Sequence, residues 1–170
     1  MKTAISILTP TILLAATGCT QNQKLPPDLN FPAPAVYTTS GRFSRIIVAR
    51  LKQNTDLLDG LRETVKKENI KNAVILTGIG SLTQHHIHVV SNSSFPPTNA
   101  FVKETIPSDL LNVNGYIMNG RVHAHITLST GQKAIGGHLE PDTKVFTFAI
   151  ITIGVLPDNA DVRRLDDWKW

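Results

Sequence analysis

Arg121-Val122-His123-Ala124-His125-Ile126-Thr127-Leu128-Ser129 alternates in polarity at every position. Successive side chains of a strand point to opposite faces of a sheet. Val122, Ala124, Ile126 and Leu128 therefore make an apolar face suited to a core, and Arg121, His123, His125, Thr127 and Ser129 share the other face. The pattern predicts a strand of an antiparallel sheet, buried on one side, with two histidines side by side on its polar side. A turn signal, Thr130-Gly131, follows, and then Gly136-Gly137-His138-Leu139. Paired glycines let the backbone bend sharply or approach another chain segment closely just before His138.

Outward from this stretch the chain reads as short strands around one helix. Ile46-Ile47-Val48-Ala49 is a buried strand. Asn54 or Thr55 can cap a helix over residues 56 to 68, where Leu57, Leu58, Leu61 and Val65 recur at helical spacing and Asn69 is a stop. Ala73 to Leu76 is a second apolar strand and Leu82 to Val90 a third. Between them, Thr77-Gly78-Ile79-Gly80-Ser81 reads as a bulge or tight connection. It lacks the lysine of a phosphate loop, and no helical pattern follows it. Ser91 to Asn99 is a polar loop. Strands are then expected near 101–106, 110–118, 121–129 and 145–153, punctuated by Gly115, Asn119-Gly120 and Thr130-Gly131. The sum is an α+β domain with a mainly antiparallel sheet and one principal helix.

The alternation carries the chemistry. A His-x-His pair on one strand face offers two imidazoles to one metal ion, and His138 supplies a candidate third ligand. Three neutral imidazoles with an open fourth position are the pattern of a catalytic zinc site. Such a site can lower the pKa of bound water to about 7. The alternative is a solvent-facing or hydrogen-bonded histidine pair, with His138 capping a turn. His85, His86 and His88 form a second cluster, in which His86 and His88 share a face and His85 points the opposite way. They read as surface or interface polar residues, joining the first cluster only if the strands are neighbours. There is no Gly-x-Ser-x-Gly elbow, so nucleophilic hydrolysis is not indicated.

The first 18 residues read as a secretion signal. Lys2 begins it, and Ala4 to Ala16 is mostly apolar but too short to span a bilayer. Ala15-Ala16-Thr17-Gly18-Cys19 resembles a bacterial lipobox, in which Cys19 takes the lipid. Cys19 is the single cysteine, which excludes an intrachain disulfide and any multi-cysteine metal site. Two or three acyl chains anchor a protein stably, so the expected location is the bacterial cell envelope, with the membrane as partner through Cys19. Residues 19–40 hold Pro26, Pro27, Pro32 and Pro34 and read as a proline-rich tether; Phe31, Val36 and Tyr37 leave open an ordered arm. The domain is expected over 41–170, closing with a charged tail, Asp158 to Trp170, able to dock on the domain or on another subunit. Without Lys2, the charge stands at 16 basic against 13 acidic side chains, an excess too small to define a partner.

Three motifs in order carry a resemblance: Asp109-Leu110-Leu111-Asn112-Val113-Asn114-Gly115-Tyr116-Ile117, His123-Ala124-His125-Ile126-Thr127-Leu128 and Gly136-Gly137-His138-Leu139. With Gly78-Ile79-Gly80-Ser81 before them and Arg163-Arg164-Leu165-Asp166 after, the chain resembles the PPC (plants and prokaryotes conserved) domain family over roughly residues 41 to 167. The resemblance implies an α+β antiparallel fold, a homotrimer, and a metal site at the positions of His123, His125 and His138. It also implies kinship of fold with acetolactate decarboxylase, whose zinc is held by three histidines. Family members in plants carry AT-hooks and act on chromatin, and prokaryotic ones are often labelled DNA-binding. Asp109 keeps the family's acidic position, whereas Ile150 stands where the family usually has Glu.

Three readings follow: a trimeric lipoprotein binding zinc or another divalent metal, or a small ligand; a zinc-dependent lyase or hydrolase acting on a small anionic substrate; and a structural protein with an empty site. In the second, Arg121 holds an anionic group while Asp109 or Glu140 moves protons. Nucleic acid is disfavoured, because the chain has no Arg-Gly-Arg-Pro hook and no long basic run.

Overall fold

The computed structural model describes residues 36–162 and 164–166. The expected signal (1–18), Cys19, the tether up to residue 35 and the two tail tryptophans lie outside the described residues. Among those described, no helix is long and apolar enough to cross a membrane.

The elements run β1 (Arg45–Lys52), α1 (Leu57–Lys67), β2 (Ala73–Val90), β3 (Asn99–Glu104), β4 (Ser108–Met118), β5 (Arg121–Ser129), β6 (Ala134–Leu139) and β7 (Lys144–Val155). All the strands pair antiparallel in one sheet, in the order β1-β7-β2-β4-β5-β6, with β3 on β2. The expected α+β class is what forms. The sheet also closes: β6 pairs with β5 on one side and reaches the far end of β2 on the other, through Ile87↔Leu139 and His88↔His138.

One long strand replaces two of the expected ones. The Thr77–Ser81 stretch stays within β2, and register shifts against β7 between Ile75 and Thr77 and between Gly80 and Leu82 mark it as irregular pairing. That length lets β2 pair β4 and β7 with its first half and β3 and β6 with its second. The β4–β5 hairpin turns on Asn119 and Gly120, with φ of 50° and 77°. A two-residue turn with both φ positive matches the twist of the flanking strands, and Gly120 adopts it without a Cβ clash.

The helix cap differs from expectation by one residue. Asp56, not Asn54 or Thr55, is the N-cap; its carboxylate accepts from Asp59 N at 3.1 Å. The same side chain accepts from Asp142 N at 2.7 Å, which ties the helix start to the β6–β7 loop. Leu57, Leu58, Leu61 and Val65 then face a core built with Ile75, Val113, Ala124, Ile126, Leu128, Ile151 and Ile153. The inward residues of β5 are those that the alternation marked.

Candidate metal centre

Pairing register, rather than sequence proximity, assembles the site. His125 on β5 stands directly opposite His138 on β6, and His138 stands opposite His88 on β2. Asn114 of β4 continues the row beyond His125, and Phe101 of β3 continues it beyond His88. Registered partners on neighbouring strands project from the same face of a sheet. The result is a transverse row of three imidazoles, with His123 two residues along β5 and Glu140 two residues past His138.

Gly137 makes the row possible. A Cβ at this position would lie 2.6 Å from the His88 carbonyl oxygen, closer than any side chain tolerates. A bare backbone lets β6 approach β2 and brings His138 against His88. The Gly-Gly pair is thus a close-approach device within a strand.

The three histidines marked by the sequence are gathered together. Ring centroids are 5.5 Å apart for His123 and His125, 5.0 Å for His123 and His138, and 5.3 Å for His125 and His138. His88 stacks on His138 at 4.4 Å. Of the described residues, the set whose donor atoms all lie within 4.8 Å of one another is His88, His138 and Glu140, and this His-His-Glu cluster can hold a metal ion. It shares His138 with the three predicted histidines. His88 was read as a surface or interface residue; closure of the sheet puts it in the cluster instead.

The donor chemistry fits a cation. Glu140 Oε1 meets His88 Nδ1 at 2.5 Å. His138 Nδ1 is buried and makes no hydrogen bond among the described residues, though it lies 3.5 Å from the same carboxylate oxygen. A buried ring nitrogen without a partner costs free energy unless something supplies one. Burial first, then the neighbouring His88 and His123, hold the His138 pKa below its ordinary value. Burial, then His123 and His88, do the same for His125. Both shifts favour the neutral ring, the form that binds metals.

His85 departs from expectation. It is fully buried rather than at the surface, and neither ring nitrogen has a hydrogen-bond partner among the described residues. Its position on β2 explains this: one residue out of phase with His86 and His88, it points into the core. Burial, only partly offset by Glu104, pulls its pKa down.

The three proton-transfer and anion-binding candidates separate. Glu140 joins the cluster. Arg121 shares the histidine face but donates to Asp166 Oδ2 at 3.4 Å. Asp109 pairs with Ser129, four residues along β5 from His125 and so about 13 Å away at 3.3 Å per residue. It lines a separate concavity of about 740 Å³ with Ile79, Leu111 and Phe148. Ile150 sits on β7 opposite Ile79. A smaller cleft of about 470 Å³ opens beside His123 and His125 and is walled by Tyr116, Leu165 and Asp166. Sequence reasoning gave Asp166 no role at the site, although Arg163-Arg164-Leu165-Asp166 was one of the stretches that carried the family resemblance.

The family model of the Plants and Prokaryotes Conserved (PCC) domain matches residues 38–157, more than half of the chain. Similar solved structures include a metal-containing protein from Archaeoglobus fulgidus, 18% identical, covering 72% of this chain and 88% of that one with a TM-score of 0.62. A plant- and prokaryote-conserved (PPC) protein from Pyrococcus horikoshii is 23% identical over 72% of this chain and 86% of its own, with a TM-score of 0.60. A candidate DNA-binding protein from Bacteroides thetaiotaomicron is 17% identical over 70% and 83%, with a TM-score of 0.59. At these identities the likeness shows a shared fold. No curated protein matches the chain.

Proposed function

The chain belongs to the Plants and Prokaryotes Conserved (PCC) domain family, and from that premise we propose that it is a metal-binding protein of the bacterial envelope. The ion is a divalent cation of the zinc type, held by His123, His125 and His138 with His88 and Glu140 beside them. The single observation that carries this reading is the buried Nδ1 of His138, without a hydrogen-bond partner among the described residues, in a cluster of four imidazoles and a carboxylate. When bound, the metal supplies Lewis acidity to a ligand in the adjoining cleft. The A. fulgidus neighbour is itself described as metal-containing. Elemental analysis of the purified protein tests the reading. Stoichiometric metal in the wild type and its loss in His138→Ala are expected; a metal-free wild type, or unchanged content in the variant, contradicts it.

The envelope part of the proposal rests on the lipobox-like Ala15-Ala16-Thr17-Gly18-Cys19. A trimer rests on the family resemblance and is supported by apolar side chains standing exposed on one outer face: Ile46, Val48, Ile79 and Phe148. Contiguous exposed apolar surface marks interaction sites. Palmitate labelling that survives Cys19→Ala would remove the anchor from the proposal, and a monomeric mass in sedimentation would remove the trimer.

A second reading, a zinc-dependent lyase or hydrolase, is favoured by the 470 Å³ cleft beside His123 and His125. Glu140 would move protons from within the histidine cluster, since it does not line that cleft. Arg121 would first have to leave Asp166, and Asp109 stands too far off to take part. DNA binding, which the B. thetaiotaomicron neighbour's description suggests, finds no basic run in this sequence to track phosphates.

A further inference from the structure

The last described residue, Asp166, reaches back to the centre of the histidine face. Its Oδ1 lies 3.0 Å from His123 Nδ1, and its Oδ2 accepts from Arg121 at 3.4 Å. We propose that Asp166 is the positioning residue of the metal centre, holding His123 as the Nδ1–H tautomer so that Nε2 is the nitrogen presented to the ion. The inference rests on the metal-binding reading above and adds to it a residue outside the ligand set.

The chemistry of the pair fixes the tautomer. A carboxylate that already accepts from a guanidinium is an acceptor toward His123 as well, so the facing ring nitrogen is the donor and carries the proton. The lone pair of His123 then resides on Nε2. Metal-binding histidines very often donate their second ring nitrogen to a carboxylate in this way, which sets ring orientation and strengthens the ligand.

The fold delivers Asp166 deliberately. Val162, 3% exposed, buries its side chain and so fixes the segment on the domain, and Leu165 N donates to Val162 O at 3.2 Å. Upstream, the buried Asn72 donates to the carbonyls of Asp158 and Ala160 while accepting from Asn119 N in the β4–β5 turn. One asparagine thereby holds both the C-terminal segment and the hairpin that carries His123. Leu165 and Asp166 then form one wall of the cleft over His123 and His125. A tail that merely covered the sheet would need neither the carboxylate nor this registry with the hairpin.

The test uses the metal-free full-length protein, titrated calorimetrically with zinc chloride, in wild type, Asp166→Asn, Asp166→Glu and His123→Ala forms. Asp166→Asn should weaken zinc binding by about 10- to 100-fold, and Asp166→Glu should recover most of that loss. In the metal-free state, the ¹⁵N ring shifts of His123 should report the Nδ1–H tautomer in wild type and a mixture in Asp166→Asn, a readout that general loosening of the tail would not reproduce. Wild-type affinity in Asp166→Asn, or an unchanged His123 tautomer, overturns the role of Asp166. If His123→Ala itself binds zinc like wild type, His123 is no ligand and the positioning role falls, while zinc binding that survives His138→Ala overturns the metal-binding reading; if His123→Ala is weakened while Asp166→Asn is not, only the positioning role falls.

Discussion

Ile126 and Leu128 are 2% and 0% exposed in the core, while His123 and His125, on the same strand, face a cleft. The two faces of β5 are built from one backbone but obey different rules. Inward residues are chosen by size and transfer out of water, and any well-packed aliphatic set would serve. The outward face gains little from burial, so two imidazoles, a neighbouring His138 and a carboxylate there serve chemistry rather than stability. Strand β2 repeats the contrast within four residues: His85 points in and has no hydrogen-bond partner among the described residues, and His88 points out into the cluster.

The largest effect that can break this contrast is on the inner face. Leu128→Ala should lower unfolding free energy by about 2–5 kcal/mol, whereas His125→Ala should change it by less than about 0.5 kcal/mol. Urea unfolding of both variants in the metal-free state checks this. A His125 variant as destabilised as the Leu128 variant would mean that the outer face carries the fold.

A smaller effect sharpens the comparison at His85. A buried polar group without partners costs about 1–3 kcal/mol, so His85→Leu should stabilise the protein by up to that amount. The pH dependence has the matching sign. Burial lowers the pKa of His85, and burial with the neighbouring imidazoles lowers those of His125 and His138. The unfolded chain therefore binds protons at a higher pH than the fold does. Their contribution to stability is whole above about pH 6.5, and falls as the pH drops below it. The urea midpoint of the metal-free protein should be lower at about pH 5.5 than at about pH 7.5, and less so in His85→Leu. A midpoint that holds or rises on acidification would show that these rings are not kept neutral by the fold.

Much of this was legible in local patterns. Alternation over 121–129 marked both faces of β5, helical spacing marked α1, and Asn119-Gly120 marked its hairpin. What escaped depends on long-range pairing. His88 enters the site only because β6 closes onto a strand about fifty residues earlier, and nothing local to His85-His86-Ile87-His88 specifies that partner. The period of two did show His85 pointing away from His86 and His88; it did not show that the core lay on that side. The Thr77–Ser81 stretch was read as a bulge or a tight connection; the register shifts there fit the bulge, and what escaped was that one long strand runs through it. Asp166 lies 43 residues from His123 in sequence; the resemblance took in Arg163-Arg164-Leu165-Asp166, but no local pattern says which side chain that stretch will meet.

The central claim is that His138 and its neighbours hold an ion, and anomalous diffraction at the zinc edge from crystals grown with zinc tests it most directly. The account predicts a peak about 2.0–2.1 Å from a His138 ring nitrogen, shared with at least two of His88, His123, His125 and Glu140. Crystals with no peak on this face, or with zinc bound where His138 does not reach it, would contradict it.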